Sequence, residues 1–60
     1  MKIRKGARMF TRYFTEASVS AGDELVHPQY GFGIILEVNG DQALIFFEDG
    51  GERLISLDSN

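Results

Sequence analysis

The sequence predicts an all-β domain, a small barrel of four to five short antiparallel strands preceded by a basic, aromatic arm. Three observations carry that expectation. An extended run reaching His27 stops at Pro28, which has no N–H to give to a sheet ladder. Gly31 and Gly33 then flank Phe32 and open a long apolar run to Val38, a corner of the kind a strongly bent sheet needs. Further on, Asn39-Gly40 and Asp49-Gly50-Gly51 punctuate two more runs of β-forming residues at short spacing.

Taken in order, residues 1–21 form the arm and residues 22–60 the β body. In the arm, Met9, Phe10, Tyr13, Phe14 and Ala17 recur at helical spacing, which predicts a short helix from about Ala7 to Ser18. Phe10-Thr11-Arg12-Tyr13-Phe14-Thr15 is equally rich in β-formers, so an extended arm is the alternative. In the body, strands are expected at Glu24–Pro28, Phe32–Val38, Asp41–Glu48 and Glu52–Leu57. Asn39 and Gly40 both accept positive φ and are the expected loop of a type I′ hairpin. That loop places Val38 opposite Asp41, Leu36 opposite Ala43, Ile34 opposite Ile45 and Phe32 opposite Phe47 on one face. The other face then carries Ile35 opposite Leu44 and Gly33 opposite Phe46. Both faces are apolar, whereas a sheet with one face in water alternates apolar with polar residues. The second face must be covered by bending, by the arm or by another molecule.

Size and composition narrow the function. A chain of 60 residues makes one domain and buries only about 60% of its unfolded surface. It has no cysteine and a single histidine, so no disulfide framework and no thiolate or multi-histidine metal site is expected. Lys2, Arg4, Lys5, Arg8 and Arg12 stand among the first twelve residues without an acid. From Tyr13 onward all nine acids face Arg53 alone, and the net charge is −3. A basic arm on an acidic body implies two surfaces with different tasks, and the body repels a phosphate backbone at short range. No apolar run has the length of a secretory core or of a membrane span of about 18 residues. A cytoplasmic protein without membrane attachment is expected.

No catalytic constellation is visible. His27 has no nucleophile or paired carboxylate at a recognisable spacing, so a structural role beside Pro28 is expected. Gly31-x-Gly33 lacks the spacing and the following helix of a phosphate loop, and reads as turn and bulge glycines. Tyr30, Phe32, Phe46 and Phe47 have the chemistry of a cage for a methylated lysine, although core or contact roles are the simpler reading. Asp41, Glu48, Asp49 and Glu52 fall at hairpin ends without the spacing of a calcium loop. No metal and no cofactor are expected.

Residues 22–57 resemble the C-terminal Tudor-like (SH3-type barrel) domain of UvrD/PcrA-type DNA helicases, which is related in shape to the polymerase-interacting domains of CarD-type transcription factors. The likeness rests on Gly22-Asp23, Val26-His27-Pro28, Tyr30-Gly31-x-Gly33, the apolar strand to Val38, Asn39-Gly40, Ala43-x-Ile45-x-Phe47 and Gly51-x-Arg53-Leu54. It implies an SH3/Tudor-like barrel, no catalysis and docking on RNA polymerase or on a DNA-repair complex, in a bacterial or phage setting. The chain departs from the family at Phe32 and Ile34, where polar residues are usual, and at Gln29 and Glu52, where basic residues are common. A polymerase-facing charge is thereby lost or reversed. No helicase accompanies the module, and Met1 favours a free-standing protein that could inhibit a host enzyme by occlusion.

The expected contact surface is Ile35, Leu44 and Phe46 with Tyr30 and Phe32 beside them. The structural set is His27, Pro28, Gly31, Gly33, Asn39 and Gly40. Two alternatives stand beside protein docking. One is nucleic-acid binding through Lys2, Arg4, Lys5, Arg8 and Arg12, with bases stacked on the arm's rings. The other is self-assembly into a homo-oligomer.

Overall fold

The computed structural model describes residues 7–11 and 14–57. They form one five-stranded sheet in the order β1-β2-β3-β4-β5. The strands are β1 (Arg8–Met9), β2 (Glu24–His27), β3 (Gly31–Asn39), β4 (Gln42–Phe47) and β5 (Gly51–Ser56). The all-β class and the four body strands match the sequence expectation to within a residue or two at each end. Three features differ. The sheet is open, with β1 and β5 at its two edges, so no barrel closes by strand pairing. The pair β1–β2 is parallel. Among the described residues there is no helix, and the arm contributes β1 instead. The Phe10 N–H donates to the Val26 carbonyl at 2.8 Å, which ties the arm's backbone to β2 and overrides the helical spacing of its rings. Tyr13, on which part of that spacing rested, lies outside the described residues.

Register also differs, for two physical reasons. Asn39 pairs with Gln42, so the two loop residues of the β3–β4 hairpin are Gly40 and Asp41. Gly40 takes φ +60° and no non-glycine residue among those described has positive φ, which fits a turn with glycine first rather than the Asn-Gly type I′ turn. A bulge then falls at Leu36, between Ile35 and Glu37. The extra residue reverses which side chains of β3 point inward beyond it. Gly33 faces Phe47, Ile34 faces Phe46 and Ile35 faces Ile45, which overturns the expected pairs of Ile34 with Ile45 and Phe32 with Phe47.

One face of the sheet, the inner one, carries the core. Leu25, Ile35, Ala43, Ile45 and Phe47 project from β2, β3 and β4, and Phe14, Val19 and Leu57 close over them from outside the strands. The arm and the body therefore share one core across the boundary at residue 21. Gly33 is indispensable to it. A Cβ there would stand 2.7 Å from Phe47 Cδ1 and 2.9 Å from Ile45 Cγ2, so the Phe47 ring packs directly on the Gly33 backbone.

Candidate functional site

The inner face is finished by a run of rings. Phe14 meets Phe10 at 5.1 Å between centroids, Phe10 meets His27 at 4.8 Å, and His27 meets Tyr30 at 4.8 Å. Tyr30 and His27 both reach Phe47, at 5.2 and 5.8 Å. A guanidinium caps each end: Arg8 lies 4.9 Å over Phe14 and Arg53 lies 4.5 Å over Tyr30. Stacked or tilted rings and cation–π contacts at these distances are favourable beyond simple burial. The imidazole at the centre is held by its own turn. His27 Nδ1 accepts the N–H of Gln29 at 3.0 Å and of Tyr30 at 3.3 Å, which requires an unprotonated Nδ1. Partial burial also favours the neutral ring and lowers the His27 pKa from its ordinary value. Pro28 ends β2, and Gly31, at φ +82°, brings the chain into β3.

Arg8 is occupied. Its guanidinium donates to the Ser18 carbonyl at 3.2 Å and pairs with the Asp23 carboxylate at 3.4 Å. Asp23 also accepts the Ser20 N–H at 2.9 Å. These contacts fasten the arm to the start of the body. Of the five bases assigned to nucleic acid, Lys2, Arg4, Lys5 and Arg12 lie outside the described residues, and Arg8 is turned inward upon its own chain.

The outer face is arranged in rows across the sheet. Cross-strand partners share a face. One row runs Glu24, Ile34, Phe46, Glu52; the next runs Glu37, Leu44, Leu54. On the other side of the Phe46 row, Val26 lies opposite Phe32, and Glu48 donates its N–H to the Phe32 carbonyl. Each row thus has an apolar centre and an acid at one or both ends. Phe46 is 46% exposed and Leu54 58% exposed. Phe32, Ile34, Phe46 and Glu48 line a small depression of about 190 Å³ in this face. The two described arginines, Arg8 and Arg53, stack on rings of the inner side, so no described cation belongs to the outer rows.

The expected contact residues separate accordingly. Phe32, Leu44 and Phe46 belong to the outer face. Ile35 is 1% exposed in the core, because the bulge at Leu36 puts it opposite Ile45; it is removed from the contact surface. Tyr30 packs against the core between His27, Phe47 and Arg53, on the opposite side from Phe46. The four-ring cage therefore does not assemble: Tyr30 and Phe47 lie inward while Phe32 and Phe46 lie outward. Ile34 and Leu54 are outer-face residues that the sequence reading missed. The signal for Leu54 was present, since it alternates with Arg53 and Ile55 opposite Leu44. Asn39 ends β3, while Gly40 supplies the positive φ of its hairpin. Among the described residues no group of three or more His, Cys, Asp or Glu is placed to hold a metal ion. No helix among them is long and apolar enough to cross a membrane.

Compared with family models, with curated proteins and with solved structures, the chain matches none.

Proposed function

We propose that this chain is a non-catalytic, cytoplasmic interaction module that docks a protein partner on its outer face. One observation carries the reading: the core is completed on the inner face, yet Phe46 and Leu54 stay 46% and 58% exposed beside Ile34 and Leu44 on the other. A central apolar cluster with a charged rim is the usual anatomy of a docking surface. The rim here is acidic, with Glu24, Glu37 and Glu52 ending the rows. It suits a partner that presents an apolar side chain surrounded by lysine or arginine. The resemblance to the helicase Tudor-like domain suggests bacterial RNA polymerase as the partner and a role in transcription or DNA repair. Occlusion of a host enzyme is the same docking with an inhibitory result.

The test is capture of purified RNA polymerase by the immobilised chain. Phe46→Thr keeps a strand-forming residue in β4 and should reduce capture at least about tenfold, with an unchanged circular dichroism spectrum. Equal capture by the two proteins, or none by either, would remove polymerase docking through this face. Nucleic-acid binding has less support, because Arg8, the one described base assigned to it, is already paired with Asp23.

A further inference from the structure

We propose that β5 pairs with β5 of a second copy of this chain, antiparallel about a two-fold axis, with Leu54 facing the partner's Leu54. β5 is an edge strand. Its Leu57 N–H donates to the Asp41 carbonyl at 2.6 Å, and the same register continues through Ile55 with Ala43, Arg53 with Ile45 and Gly51 with Phe47. Backbone groups in an antiparallel ladder alternate from side to side along a strand. Gly51, Arg53 and Ile55 therefore bond to β4, while Glu52, Leu54 and Ser56 direct their N–H and C=O groups away from it, where no described strand covers them.

An isologous pair needs a register in which this edge complements itself. Residues that face one another share a sheet face, so the axis must pass through a residue rather than between two. Centred on Leu54, the pair sets Leu54 against the partner's Leu54 and Glu52 against the partner's Ser56. All three outward residues then exchange both of their hydrogen bonds. Centring on Arg53 leaves Ser56 without a strand residue opposite and sets two guanidiniums together; centring on Ile55 does the same to Glu52. The Leu54 register also avoids like charges, because each Glu52 meets a serine.

The side chains agree with the backbone. Leu54 is the most exposed of the large apolar residues described, at 58%, and it sits opposite Leu44. Pairing extends that row as Leu44, Leu54 and the partner's equivalents across the axis. β5 has no proline, no lysine and no bulge in its register with β4, and of its two charges Arg53 is stacked on Tyr30 while Glu52 meets a serine in the Leu54 register. The inference rests on the edge backbone and not on the polymerase reading, so either can fail alone.

Sedimentation of the full chain over a range of concentrations tests it. A monomer–dimer equilibrium is expected. Leu54→Pro removes an outward N–H but no bond to β4, and Leu54→Lys sets two ammonium groups on the axis. Each should weaken the dimer at least about tenfold, and the exposed lysine keeps the test valid if the proline variant fails to fold. Phe46→Thr, aimed at partner capture, should leave the dimer intact. A wild-type chain that stays monomeric at its highest soluble concentration would overturn the pairing. So would a dimer unaffected by Leu54→Lys, or one dissolved by Phe46→Thr.

Discussion

The inner face of the sheet presents Leu25, Ile35, Ala43, Ile45 and Phe47, and the outer face presents Ile34, Leu44, Phe46 and Leu54. In residue type the two are hardly distinguishable. They differ in what lies over them. The inner face is covered by Phe14, Val19 and Leu57 and edged by the ring run from Phe14 to Tyr30. Nothing comparable among the described residues covers Phe46 and Leu54, which keep 46% and 58% of their surface. The same apolar chemistry therefore serves folding on one side and stands available for association on the other. Burial, and not hydrophobicity, separates the two roles.

The sharpest way to break this comparison is to truncate the two neighbouring phenylalanines of β4. Phe47 is fully buried, and Phe47→Ala should cost about 3–5 kcal/mol in urea denaturation. A 60-residue domain has about 3–9 kcal/mol in all, so that loss is a third or more of the total. Phe46→Ala should cost no more than about 1 kcal/mol. Equal losses would mean that the two faces are not different in kind.

Gly33→Ala should come next, at about 1–3 kcal/mol, because the new methyl meets the Phe47 ring and the Ile45 side chain at once. A neutral result by thermal unfolding would mean that the inner face is loosely packed. Acid probes the ring run that edges it. The His27 pKa is lowered in the folded chain, so between the unfolded value of 6.5 and the folded value the unfolded chain binds more protons. Stability should be whole above about pH 6.5 and fall as the pH drops through the folded value, with release of the Gln29 and Tyr30 N–H groups. His27→Gln, which cannot titrate, should flatten that limb of the pH profile in circular dichroism. The smallest effect is expected at the arm's fastening. Asp23→Asn should cost about 0.2–1 kcal/mol, less at high salt, because the Arg8–Asp23 pair is partly exposed.

Much of the fold was legible in the sequence because its punctuation is strong. Pro28, Gly40 and Gly51 mark the strand ends, and the inward set of β4 followed from simple alternation. The inward set of β3 was not legible. A bulge at Leu36 costs nothing visible in composition, yet it exchanges Ile34 for Ile35 and so decides which isoleucine faces water. The arm misled for a related reason. Phe10 and Phe14 are four residues apart, the spacing of a helix face, and both do meet the core region, but the Phe10 N–H is bonded to the Val26 carbonyl of the neighbouring strand and the Phe14 N–H to the Thr11 carbonyl of a turn. The existence of a surplus apolar face could be inferred from sequence; its membership required the register.

The most direct measurement is the urea midpoint of the double variant Phe46→Thr, Leu54→Thr, taken at a dilution where the chain is monomeric. If the outer stripe is surplus to folding, the variant should stay within about 1 kcal/mol of the wild type. A loss approaching that of Phe47→Ala would contradict this, and would make Phe46 and Leu54 part of the fold's own core.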